Sequence, residues 1–164
     1  GDDAGDAQEP VRRILGIDYD SSKIEVAENC WVKKTLPLLE FRCAEAMEAD
    51  FPESDAFIIS DMLHYLPEEQ QFALLEKCLS RLRPGGVILV REGNSSDVKG
   101  QKMTALSEVM STRVFSFNKT SGKLHFTSAS ILRDYAERLG MDFSEVHKNR
   151  LSANTLYQFK STGL

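Results

Sequence analysis

Leu82-Arg83-Pro84-Gly85-Gly86-Val87-Ile88-Leu89-Val90 reads as a helix stop followed at once by a strand. Proline and two glycines cannot carry a helix onward, and four apolar residues in a row suit a strand covered on both faces. On the N-terminal side, Phe72, Leu75, Leu79 and Leu82 recur at helical spacing behind Pro67-Glu68-Glu69. Proline in the first turn and acids at the positive end of the dipole both favour a helix start there. The helix is therefore predicted to run through Leu82 and to stop at Pro84-Gly85-Gly86. Before it lies Ala56-Phe57-Ile58-Ile59, a second apolar run bounded by Asp55 and Asp61.

The same alternation extends outward. Ile14-Leu15-Gly16-Ile17 ends in Asp18 and reads as a buried parallel strand. Ser22 with Glu25 has the spacing of a capping box, and Ile24, Ala27 and Trp31 follow on one helical face. Leu39, Phe41 and Cys43 alternate with polar neighbours, which predicts a strand over Leu38–Cys43. Residues 93–127 are irregular, with a helix expected through Met103, Leu106 and Met110 and a polar turn over Asn118–Lys123. Ser128–Leu139 reads as a helix, with Ile131, Leu132, Tyr135 and Leu139 inward and Gly140 ending it. Met141–His147 and Leu151–Phe159, joined through Lys148-Asn149-Arg150, form an antiparallel hairpin. The layout is α/β, a mostly parallel sheet flanked by helices and closed by a C-terminal antiparallel hairpin.

Composition bounds the function. With 164 residues and 41% hydrophobic content the chain can build one globular core, which excludes a disordered tail. No stretch approaches the ~20 apolar residues of a membrane span, and no export segment opens the chain. Twenty basic against 25 acidic residues leave a charge of -5, which argues against a nucleic-acid groove. Cys30, Cys43 and Cys78 are odd in number and far apart. They match no metal-ligand spacing and no disulfide framework, so they read as reduced core thiols of a cytoplasmic protein. Residues 1–10, small and acidic, read as a flexible leader to a domain over 11–164.

Ligands of such sheets bind beyond the carboxyl ends of the strands. Asp18 stands there, and a carboxylate in that place accepts both hydroxyls of a ribose or simply faces the first turn of the next helix. Glu45 reads either as a solvated loop acid or as the acceptor of an adenine amino group, with the Ala46 backbone meeting a ring nitrogen. His64 lies in Ser60-Asp61-Met62-Leu63-His64-Tyr65-Leu66, beyond the third strand. It is a structural histidine or a general base. Arg91 and Glu92 form an ion pair or orient a substrate group. His125 and His147 read as loop and strand-surface residues.

Taken in order, Ile14–Asp18, Cys43-Ala44-Glu45-Ala46, Asp55–Leu66 and Leu82–Val90 resemble the class I S-adenosylmethionine-dependent methyltransferases, as does the terminal hairpin. The resemblance implies a Rossmann-like fold and methyl transfer from S-adenosylmethionine to a small or medium-sized acceptor. It further implies that Asp18 holds the ribose with Tyr19 packed beside it, that Glu45 and Ala46 read the adenine, and that Ser60 faces the methionyl end. His64 or Asp61 would take a proton from a hydroxyl acceptor. Residues 93–127 would build the acceptor pocket, and Met103, Met110, Phe115, Phe117 and Phe126 suit an aromatic or acyl group.

One departure stands out. The family's first strand and its glycine-rich loop would precede Val11, where Gly1 and Gly5 sit among acids with no apolar strand. Residues 11–164 therefore read as an N-terminally incomplete domain. It would be completed by upstream chain, by closure of the neighbouring strands, or by another chain, a second copy included. A non-catalytic partner-binding domain is the alternative from another class, and a nicotinamide-dependent reductase a third. Against the third stand the terminal hairpin and the lack of a Tyr-x-x-x-Lys pair in the cleft.

Overall fold

The computed structural model describes residues 12–30, 38–93, 125, 127–148 and 154–162. It divides into two compact units, residues 1–50 and 51–164. The leader 1–10, Trp31, the helix expected through Met110, the polar turn Asn118–Lys123, Phe126 and the hairpin link at Asn149-Arg150 lie outside the described residues.

In the first unit β1 (Ile14–Asp18) pairs in parallel with β2 (Leu39–Cys43), and α1 (Ser21–Asn29) connects them. The helix starts earlier than the Ser22–Glu25 spacing suggests. Asp20 is the N-cap, its carboxylate accepting the Ser22 N–H at 2.9 Å and the Ser22 hydroxyl at 2.6 Å. Those bonds, the hydroxyl's first, hold the Asp20 carboxyl below the usual carboxylate range. A charged acceptor two residues upstream outcompetes a serine hydroxyl for the first amides. The apolar run of β1 is less covered than expected: Ile14 is exposed and the rest half-buried. Among the described residues β1 has one strand neighbour, β2, so one of its edges lacks a partner.

The second unit carries the core. Its four strands run in the order β3 (Ser54–Ser60), β4 (Leu82–Gly93), β6 (Asn154–Ser161), β5 (Met141–Lys148). The β3–β4 pair is parallel, and the terminal hairpin enters antiparallel with its second strand against β4. Every second residue of β4 and β6 faces inward. Ile88 therefore lies opposite Phe159, Val90 opposite Tyr157, and Glu92 opposite Thr155, all six buried. Phe143 on β5 meets Phe159 edge-on with ring centres 5.4 Å apart. The same face is covered by α2 (Glu68–Leu79) and α3 (Ala129–Leu139). The first adds Leu74, Leu75 and Cys78 to the core, the second Leu132, Tyr135 and Ala136. Ser128 caps α3 by accepting the Ile131 N–H at 3.3 Å, and Gly140 closes it in the left-handed region.

Two expectations about α2 are corrected. The helix ends at Leu79, and Leu82 already belongs to β4. Pro84-Gly85-Gly86 is thus not the helix stop but an irregularity inside the strand, where Ser54 pairs with Leu82 and Ala56 with Val87. Gly85 has φ +78°, a backbone state that side chains disfavour. A Cβ on Gly86 would lie 2.8 Å from the Asp55 carbonyl oxygen, so only glycine lets the two strands approach. The buried stripe also differs from the expected one. It is Gln71, Leu74, Leu75 and Cys78, whereas Phe72 and Leu79 are half-buried. A glutamine whose amide is fully bonded can occupy a core position that hydrophobicity alone gives to its neighbour.

The thiols differ likewise. Cys78 is buried, but Cys30 caps the end of α1 and Cys43 ends β2, and both are exposed. Burial pushes the Cys78 thiol up to about 12, far from the reactive range. A disulfide-exchange reagent is therefore expected to modify Cys30 and Cys43 in the native protein and Cys78 only after denaturation. Rapid labelling of all three in the folded protein would contradict this packing. The folded state holds the Cys78 proton that the unfolded chain begins to lose near pH 9, so this group's contribution to stability falls as pH rises from 9 towards 12.

Candidate functional site

At the carboxyl end of β1 and β2 the register places Asp18 beside Cys43, and the Ala44 N–H donates to the Asp18 carbonyl at 3.0 Å. The Asp18 side chain is fixed locally. Its Oδ1 accepts the Asp20 N–H at 2.9 Å, and Oδ2 lies 3.6 Å from Lys23 Nζ. Each oxygen keeps a further lone pair, and about a third of the side chain, 35%, is open to solvent. Tyr19 is exposed beside it, and its carbonyl accepts from the Cys43 thiol at 3.4 Å. Glu45 opens a turn, its carbonyl receiving the N–H groups of Glu48 and Ala49 at 3.0 and 2.8 Å, and its side chain is exposed. Ala46 is half-buried in that turn. Asp18, Tyr19, Glu45 and Ala46 thus gather at one end of this small sheet.

A second group forms at the carboxyl ends of β3 and β4. Ser60 ends β3, and Asp61 follows with φ +51°, a conformation unusual for a residue other than glycine and common where chains turn sharply at functional sites. The Asp61 carboxylate pairs with Arg91, and the Ser60 hydroxyl donates to it at 3.2 Å. Arg91 also reaches the Ser60 hydroxyl at 3.3 Å. Arg91 and Glu92 do not pair with each other, because successive strand residues point to opposite faces. Arg91 is exposed, whereas Glu92 is buried at 2% exposure.

Glu92 instead organises the turn that carries His64. The 3-10 turn Leu63–Tyr65 directs the Leu63 N–H at Glu92 Oε1, 2.7 Å away, and His64 Nδ1 lies 2.7 Å from Oε2. With Glu92 ionised both oxygens accept, so Nδ1 carries a proton, and in the neutral form of the ring the lone pair is then on Nε2. Among the described residues that nitrogen is buried without a hydrogen-bond partner, and so is the hydroxyl of Thr155, opposite Glu92 in the sheet. The Tyr65 ring packs against the imidazole, ring centres 4.1 Å apart. Of the two expected proton acceptors, then, Asp61 is engaged by arginine, and among the described residues nothing engages His64 Nε2. His125 takes part through its backbone, donating its N–H to the His64 carbonyl at 2.9 Å. The side chain of His147 and the five apolar residues expected in an acceptor pocket lie outside the described set.

Sequence reasoning placed Glu92 at the site but offered its chain neighbour Arg91 as the ion-pair partner, not His64. The missed signal was parity: Ile88, Val90 and Glu92 share one face of β4, so an acid two residues beyond two core positions must itself be buried and paired.

Comparison with known proteins bears on the family and the fold. The family model described as "Methyltransferase domain" matches residues 1–86. Carboxy-S-adenosyl-L-methionine synthase of Helicobacter hepaticus is 32% identical over 84 residues, 51% of this chain and 35% of that protein. Among solved structures, an O-methyltransferase family 2 protein of Planctomyces limnophilus, in complex with apigenin, superposes with TM-score 0.67 at 21% identity. The alignment covers 90% of this chain and 42% of that one. Human N-acetylserotonin methyltransferase, in complex with SAM, gives TM-score 0.66 at 17% identity, over 91% of this chain and 40% of that one. At those identities the structural likeness speaks for the fold, which is that of Rossmann-like methyltransferases. This chain spans less than half the length of each of these three proteins. The match to the family model, which takes in just over half of the sequence, means that the chain belongs to the methyltransferase domain family.

Proposed function

We propose that this domain transfers the methyl group of S-adenosylmethionine to a hydroxyl of a small acceptor, with His64 receiving the hydroxyl proton. The observation that carries the reading is the buried His64–Glu92 pair, which leaves a ring nitrogen without a partner among the described residues. S-adenosylmethionine, when bound, supplies an electrophilic methyl group on a sulfonium. The Asp18 end of the first unit fits its nucleoside: a part-exposed carboxylate with free lone pairs suits a ribose diol. Tyr19 would pack beside the sugar, Glu45 and the Ala46 backbone would read the adenine, and Ser60 would face the methionyl end. His64 would orient the acceptor oxygen and hold its proton at Nε2, and Glu92 would offset the positive charge of the imidazolium. Asp61, already paired with Arg91, would shape the turn and supply fixed charge. An aromatic or acyl acceptor is in keeping with the apolar residues of 93–127. The three free thiols, and the absence among the described residues of a helix long and apolar enough to cross a membrane, fit a protein of the reducing cytoplasm.

A second reading, a partner-binding domain, is favoured by one feature. Ile58 is 73% exposed on β3, a strand with β4 as its one neighbour among the described residues. That edge suits a strand from another segment or from a second copy.

Calorimetric titration with S-adenosylmethionine and S-adenosylhomocysteine separates the two. Saturable binding is expected, and Asp18→Ala is expected to weaken it about 10- to 100-fold, the worth of hydrogen bonds to a charged group. The circular dichroism of the variant should be unchanged, because Asp20 and not Asp18 caps α1. A folded wild-type protein that binds neither compound would favour the second reading. Unchanged affinity in a folded Asp18→Ala variant would remove Asp18 from the site.

A further inference from the structure

Gln71 is 1% exposed on the core face of α2, one turn before the buried Leu74 and Leu75, a place where an amide must be desolvated. Its polar capacity is nevertheless used at both ends. Nε2 donates to the Leu66 carbonyl at 2.9 Å and to the His125 carbonyl at 3.1 Å, and Oε1 accepts from the Thr127 hydroxyl at 3.1 Å. His125 in turn donates its N–H to the His64 carbonyl at 2.9 Å. A closed circuit results, running from His64 to His125, through the Gln71 amide to Leu66, and back along the turn, where the Leu66 N–H meets the Leu63 carbonyl at 2.9 Å.

We propose that Gln71 is a positioning residue for His64: its amide locks the backbone on both sides of the His64 turn, so that the imidazole stays seated on Glu92. The assignment rests on the reading of His64 as the proton acceptor only for its catalytic meaning, since the geometric claim stands by itself. Glu92 grips the turn at the Leu63 N–H and the ring. Its hold on the ring is directional, and a turn free to rotate at Leu66 or at the His64 carbonyl would carry Nδ1 out of line. Gln71 supplies the fixed point that this alignment needs, and Thr127 keeps the amide from flipping by presenting a donor to its oxygen.

The test is nitrogen-15 NMR of the protein without cofactor or acceptor, reading the His64 tautomer at alkaline pH and the hydrogen exchange of the His125 amide. His64→Ala identifies the His64 signals. In the wild type one tautomer, protonated at Nδ1, is expected, with a protected His125 amide. In Gln71→Met, which keeps the volume and removes the amide, the two ring-nitrogen shifts should move toward each other. The His125 amide should exchange about tenfold faster, the worth of one hydrogen bond. Thr127→Val should move both readouts the same way by less, and Thr127→Ser should restore them. A folded Gln71→Met with wild-type tautomer and exchange would overturn the proposal. Should that variant not fold, Thr127→Val behaving like Thr127→Ser would overturn it equally. Failure of the wild type to bind S-adenosylmethionine, alongside a Gln71-dependent tautomer, would sink the functional reading and leave this one standing.

Discussion

Replacing Phe159 with alanine is expected to destabilise the second unit by about 3–5 kcal/mol, the range found for deleting a buried phenylalanine. The side chain is fully buried on β6, opposite Ile88 of β4 on one side and Phe143 of β5 on the other. Its ring meets Phe143 edge-on, and Tyr157 stacks on Phe143 at 5.7 Å, so one truncation opens a void shared by three strands. Backbone cannot collapse into that void, because β6 is hydrogen-bonded along both edges. A domain is stable by only ~5–15 kcal/mol, so the urea midpoint should fall by a large fraction of its value. Val146, half exposed on β5, is the control, and its truncation should cost under about 0.5 kcal/mol. A loss below about 1 kcal/mol at Phe159 would mean that the core is not closed around this residue.

His64→Ala is expected to lower the turnover of methyl transfer by about 100- to 10,000-fold, the usual contribution of a positioned general base. Affinity for S-adenosylmethionine should change little, because the residues proposed for the nucleoside lie at and just beyond the carboxyl ends of β1 and β2. Glu92→Gln should lose nearly as much although the imidazole remains. The amide can still accept the Leu63 N–H through its oxygen, but its NH2 group would then face Nδ1. Two donors cannot share that contact, so the ring would adopt the opposite tautomer and place its proton on Nε2, where the acceptor's proton should go. Formation of S-adenosylhomocysteine with the fastest acceptor found for the wild type measures both variants. Turnover in folded His64→Ala equal to wild type would return His64 to a structural role.

Most of the elements were legible because each carries its own local signal. The apolar runs at Ile14–Ile17, Ala56–Ile59 and Val87–Val90 became β1, β3 and β4, and Pro67 and Gly140 mark ends that were read directly from residue chemistry. Misreadings occurred where a polar residue behaved as a core residue or a loop signal lay inside an element. Gln71 displaced Phe72 from the buried stripe because its amide found three partners, two of them, His125 and Thr127, more than 50 residues away in the chain. Pro84-Gly85-Gly86 fell within β4 because a strand tolerates an irregularity that a helix does not.

The candidate site divides along the same line. Asp18, Glu45, Ser60, Asp61 and His64 were named from position alone, since the carboxyl end of an apolar run is visible in one dimension. Their partners were not, because pairing is decided between segments distant in the chain. Asp61 meets Arg91 across 30 residues, and His64 meets Glu92 across 28. Sequence by itself determined the α/β alternation, the strand ends and the types of residue waiting there, all of which follow from hydrophobic period and turn chemistry. Only the tertiary structure decided which acid serves the histidine and which is held by arginine. Strand register sets that choice: it turns Glu92 into the core and Arg91 out of it, and a shift of one residue would exchange their roles.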